Sequence, residues 1–130
     1  WAELREAQMM TARLPHTALV VTIDLGQENN VHPPDKVDVG KRLALAAEGT
    51  AYGQDIAYSG PLYESARIEG SKVVLHFHDI FGGLRTRDGK PLRSFSIAGA
   101  DRKFVWAEAQ IGGDEVIVSF NDNIASVRKV

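Results

Sequence analysis

The stretch that decides the reading is "ALVVTIDLGQENNVHPPDK", residues 18–36. It opens on a short β-rich run, Leu19 to Ile23, in which only Thr22 interrupts the apolar residues. An apolar run without polar alternation is the pattern of a strand covered on both faces, as in a parallel sheet flanked by helices. The chain then passes through Gly26 into a polar loop and reaches His32, followed by Pro33 and Pro34. In open α/β sheets, ligands and reactive groups gather on loops beyond the C-terminal ends of the strands. The two prolines restrict the backbone and would help to hold the imidazole. By pattern alone, the same features also fit an ordinary surface-loop histidine.

The flanks of this stretch read as helices. Residues 2–13 are rich in Ala, Leu, Glu, Met and Arg, and Pro15 ends the helix soon after Leu14. On the other side, Asp35 and Asp38 supply capping and first-turn charge for a helix over roughly Val37–Tyr52. Its expected apolar stripe is Val39, Leu43, Ala46 and Ala47, with Gly53 as the stop. A single strand between two helices cannot make a parallel sheet by itself. Its backbone edges need neighbours, because a buried amide left unpaired costs about 1–3 kcal/mol. The expectation is therefore that other polypeptide supplies the adjoining strands. The opening of the chain on Trp1 inside helix-forming "WAELREAQMMTARL" points the same way, towards a segment of something longer.

Beyond residue 60 the pattern changes. "IEGSKVVLHFHDI" carries a turn signal at Gly70-Ser71 and then places Val73, Leu75 and Phe77 on one face. Asp88-Gly89 is a hairpin or tight-turn dipeptide, and "FVWAEAQIGGDEVIVSF" reads as strand, Gly112-Gly113 turn and strand. "SVRKV" reads as a last strand. Strands without intervening helices predict an antiparallel sheet or sandwich, with a boundary near residues 56–62. The fold class expected is thus α/β plus all-β.

The bulk numbers narrow the function classes. The 130 residues carry a net charge of −2, which leaves no electrostatic footprint for nucleic acid or an anionic membrane. No apolar run approaches the roughly 20 residues of a spanning helix. Cysteine is absent, which removes disulfides, thiolate nucleophiles and cysteine-ligated zinc. His76 and His78 lie one residue apart on a strand and share a face as paired metal ligands would, but no third ligand has suitable spacing, so a solvated face is expected and no metal or other cofactor. Phe104 and Trp106 also share a strand face; packing in a core or interface is expected, with stacking on sugar rings as the alternative. "RTRDGK" reads as a solvated turn.

Three stretches carry a resemblance: "WAELREAQ", "VTIDLGQENNVHPPDKVDVGKRLALAAEGTAYGQDIAYSGPLYES" and "SIAGADRKFVWAEAQIGGDEVIVSF". Together they resemble the C-terminal part of the sialate O-acetylesterase family, relatives of the SGNH-type serine esterases. The portions Val21 to Pro61 and Ile97 to Gln110 are the most specific. The resemblance implies that residues 1–58 form the last α-β-α portion of a three-layer SGNH-type parallel-sheet domain, and that residues 59–130 form an accessory antiparallel, sandwich-like β domain. It implies deacetylation of O-acetylated sugars, sialate or xylan-type, through an acyl-enzyme, with His32 in "VHP" as general base. The family's serine block, with its oxyanion donors, does not occur in these residues, so an upstream segment or chain is the implied partner. Family members are frequently exported. Many relatives read "DIHP" where this chain reads "NVHP", placing Asn30 where the orienting acid stands. In serine proteases the change from acid to amide at the orienting position costs about 10⁴ in turnover. Asp24 is the second candidate for that role, and equally reads as a strand-end residue that caps the loop. The rival reading of the chain is a non-catalytic carbohydrate-binding or interaction module.

Overall fold

The computed structural model describes residues 2–120. The expected "SVRKV" strand lies outside them. The chain divides into two compact units, Trp1–Gly60 and Pro61–Val130.

The first unit holds two helices, α1 (Ala2–Thr11) and α2 (Val37–Thr50). Good helix formers carry α1, and the Thr11 hydroxyl bonds back to the Ala7 carbonyl at 3.0 Å as the helix ends. No strand forms over Leu19–Ile23, and no parallel sheet forms among the described residues. The reason is physical. An extended segment becomes a strand only when a neighbour takes up its N–H and C=O groups, and no described strand lies beside this one. Nor is the run doubly covered: Val21 and Ile23 are exposed, and Leu19 and Val20 are half-buried.

Helix α2 starts where the acidic residues direct it. Asp35 Oδ1 accepts the Asp38 N–H at 3.1 Å, satisfying one of the free amides of the first turn. It stops at Gly53, whose φ of 66° lets the chain reverse so that the Gln54 N–H returns to the Glu48 carbonyl at 3.0 Å. The buried stripe is displaced from the expected one. Ala46 is buried and Val39, Arg42, Gly49 and Thr50 are half-buried, whereas Leu43 is 55% exposed.

Gly49 sits beneath the Tyr58 ring. A Cβ built there would lie 2.6 Å from Tyr58 Cε1 and closer still to Cδ1. Alanine is favoured over glycine in a helix by about 1 kcal/mol, while forcing a methyl into a filled site costs about 1–3 kcal/mol. Gly49→Ala is therefore expected to destabilise the chain by about 1 kcal/mol, read as a lower urea midpoint. In a Tyr58→Ala background the same substitution is expected to stabilise, since only the helix propensity remains.

The described residues of the second unit form one five-stranded antiparallel sheet. Its strands are β1 (Leu62–Glu69), β2 (Lys72–His78), β3 (Phe95–Ala98), β4 (Phe104–Gly112) and β5 (Glu115–Ser119), in the order β1-β2-β5-β4-β3. Two short turns set the register. Glu69 pairs with Lys72 around Gly70-Ser71, and Gly112 pairs with Glu115 around Gly113-Asp114, one residue later than the expected turn. The alternation holds as expected: Val73, Leu75 and Phe77 pack against the core of Ala109, Val116 and Val118.

Of the two expected arrangements, sheet or sandwich, the described residues form the single antiparallel sheet. The long β2–β3 connection supplies Leu84 and Leu92 to the same core. Those two leucines take the place that side chains of a facing sheet would fill. Asp88-Gly89 is a tight turn inside this connection, with Asp88 Oδ1 accepting the Lys90 N–H at 3.1 Å, and not a hairpin.

The opposite face is mixed: it holds Val74, only 2% exposed, and half-buried Ile117 beside a polar cluster. Arg67, His76 and Glu115 meet there across β1, β2 and β5. Arg67 donates to both Glu115 oxygens at 2.9 and 3.2 Å and also contacts the His76 ring, whose Nδ1 lies 3.2 Å from Glu115 Oε1. The Arg67 hydrogen bonds hold the Glu115 carboxyl below the usual carboxylate range. Any stability this adds is present at neutral pH and lost as acid protonates Glu115. His78 faces a different partner, Asp79, so the two histidines do not converge.

Candidate active-site histidine loop

The loop from Val21 to Lys36 is organised by local hydrogen bonds. A turn closes at Thr22–Leu25, where the Leu25 N–H reaches the Thr22 carbonyl at 3.0 Å. A second closes at Gln27–Asn30, with an N–H to carbonyl bond of 3.2 Å and an isolated β-bridge between the same residues. Asn30 then does two things. Its Nδ2 donates to Gln27 Oε1 at 3.2 Å, and its Oδ1 accepts the His32 backbone N–H at 2.9 Å. The second is an Asx turn, a geometry that asparagine and aspartate form readily because their short side chains reach the amide two residues on. It fixes the backbone from which the imidazole projects.

His32 itself is exposed, and its ring makes no hydrogen bond among the described residues. Half-buried Pro33 anchors the chain behind it. Asn30 thus lies beside His32 as the sequence suggests, but its side chain holds the histidine's backbone and not its ring.

Asp24 is engaged elsewhere. Arg42, on the half-buried stripe of α2, donates Nη1 to Asp24 Oδ1 and Nη2 to Asp24 Oδ2, each at 2.7 Å. Its Nη1 also donates to the Val21 carbonyl at 2.7 Å. Fork-to-fork geometry of this kind is the strong form of an ion pair. Hydrogen bonding to Asp24 raises the Arg42 pKa above its ordinary value. Sequence reasoning passed over Arg42. The signal was present: a cation three residues after Val39 on the inward stripe of an amphipathic helix needs a carboxylate partner.

No family model matches the chain. Among curated proteins it is 30% identical over 106 residues to the sialate O-acetylesterase of Mus musculus, covering 76% of this chain and 19% of that protein. To the Homo sapiens sialate O-acetylesterase it is 33% identical over 69 residues, covering 49% and 13%. Among solved structures it superposes on a carbohydrate acetylesterase from Xanthomonas citri with a TM-score of 0.92 at 45% identity, over 98% of this chain and 29% of that one.

The chain belongs to the sialate O-acetylesterase family.

It spans about a fifth of the mouse enzyme and less than a third of the bacterial one. Identity of 45% along almost the whole chain covers both units, so the likeness to the bacterial carbohydrate acetylesterase extends through the helices, the histidine loop and the five-stranded sheet.

Proposed function

We propose that this chain is the C-terminal segment of a serine carbohydrate O-acetylesterase and supplies its general base, His32. The observation that carries the proposal is the likeness, over 98% of the chain, to a carbohydrate acetylesterase, joined to an exposed imidazole on a hydrogen-bonded loop.

In this reading the nucleophilic serine and its oxyanion donors belong to polypeptide outside these residues. His32 takes the proton from the serine hydroxyl as the oxygen attacks the acetyl carbonyl. The imidazolium returns that proton to the sugar oxygen as the ester C–O bond breaks, leaving an acetyl-serine. Water then attacks the acyl carbon, His32 takes its proton, and acetate leaves as the proton passes back to the serine oxygen. In this reading the group that orients the ring also comes from polypeptide outside these residues. Residues 1–58 complete a three-layer parallel-sheet domain in which Leu19–Ile23 gains strand neighbours. Exposed Val21, Ile23 and Leu43 supply apolar surface for that union. Residues 59–130 form the accessory β domain. The substrate is an O-acetylated sugar of the sialate or xylan type. The test is acetate release from acetylated oligosaccharides by the full-length esterase and its His32→Ala variant, argued below.

A second reading has its own observation. Trp106 is 77% exposed and Phe104 54% exposed on one face of β4, so neither packs in a core of this chain. A protruding aromatic pair suits stacking on pyranose rings. If the β unit is a non-catalytic glycan-binding module, Trp106→Ala abolishes oligosaccharide binding by calorimetry while His32→Ala leaves it unchanged. Equal binding by both variants excludes this reading.

A further inference from the structure

We infer that Arg42 and Asp24 form a positioning clamp that presets the His32 loop; the inference rests on His32 acting as the base. The loop leaves the apolar segment at Val21, passes Asp24, reaches His32, and enters α2 at Val37. Arg42 lies five residues into that helix and reaches back across 18 and 21 positions of sequence to Asp24 and Val21. The two ends of the loop are thereby tied together by three hydrogen bonds of 2.7 Å from one guanidinium.

Two features make this a device for position and not just for cohesion. First, both tied ends flank the segment that carries the imidazole, and the Asn30 bond at 2.9 Å fixes the His32 amide between them. With ends and middle held, the ring has its side-chain torsions left but little backbone freedom. Second, the planar fork fixes direction as well as distance. A lysine ammonium keeps the charge but cannot donate in parallel to two carboxylate oxygens and a carbonyl. Arg42 does not touch reacting atoms in this account; it acts through the loop.

The experiment uses the full-length esterase with Arg42→Lys, Asp24→Asn and His32→Ala variants, assayed on acetylated xylo-oligosaccharide. Displacement of a catalytic group by about 1 Å costs up to roughly 100-fold in rate. The expected result is a kcat lower by about 10- to 100-fold in both clamp variants, with KM changed less than about threefold. Hydrogen exchange at the His32 amide should quicken in the same variants while the thermal midpoint stays within a few degrees. Wild-type kcat in Arg42→Lys and Asp24→Asn, beside a dead His32→Ala enzyme, overturns the clamp and leaves the base assignment standing. A kcat loss that merely tracks the unfolded fraction in both variants overturns it as well. Full activity in His32→Ala overturns the base assignment itself.

Discussion

His32→Ala in the full-length esterase lowers kcat for acetate release by about 10²- to 10⁴-fold, with KM little changed. A positioned base contributes only to steps in which a proton moves, and both the attack by serine and the attack by water are such steps. Ground-state binding of the acetylated sugar draws on other contacts, so KM is spared. The size of the effect follows from how the loop is built. The ring projects from a backbone held at 2.9 Å by Asn30 and closed by Arg42, so little reorganisation is needed when substrate arrives. A variant that keeps more than a tenth of wild-type kcat is inconsistent with this role. The assay is steady-state acetate release, paired with a thermal melt of each protein.

The second large effect concerns folding. Val118→Asp leaves the β unit unfolded. Val118 is 4% exposed on β5, paired with Val73 on one side and Ala109 on the other. Burying that side chain contributes about 1.5–3 kcal/mol, and placing an unpaired polar or charged group there costs several kcal/mol more. Against a total stability of about 5–15 kcal/mol for a domain, the sum removes most or all of it. Gln110→Lys provides the contrast. Gln110 is itself exposed on β4, on the opposite side of the same sheet, and its substitution should change stability by no more than about 0.5 kcal/mol. Hydrogen exchange over β2, β4 and β5 distinguishes the two: protection lost in Val118→Asp, retained in Gln110→Lys. Protection that survives in Val118→Asp means that the strand core is not organised as described.

The parts of the fold legible from sequence were those set by local chemistry. Asp35 and Gly53 marked the limits of α2 because capping and chain reversal involve residues close in sequence. Gly70-Ser71 and the alternation of Val73, Leu75 and Phe77 marked a hairpin for the same reason. What escaped depends on partners distant in sequence. Leu19–Ile23 has the composition of a strand, but composition does not supply the neighbour that makes one. Leu84 and Leu92 lie in an irregular connection with no period to reveal that they close the core. At the candidate site, the two prolines after His32 marked a held loop, while the role of Asn30 came only from the resemblance, in which "NVHP" stands for "DIHP". Asp24 was ambiguous until Arg42, 18 positions later, claimed both its oxygens. A charged residue on an inward helix stripe was the clue, and the expected stripe of Val39, Leu43, Ala46 and Ala47 left it out.

The most direct test is active-site phosphonylation of the full-length esterase with a fluorophosphonate, followed by mass spectrometry of the labelled peptide. Labelling forms an Oγ–P bond with loss of fluoride and draws on the same base as acyl transfer. The expected label falls on a serine outside these 130 residues, at a rate reduced more than about 100-fold in His32→Ala. A label on Ser59 or any other serine of this chain, or an undiminished rate in His32→Ala, contradicts it.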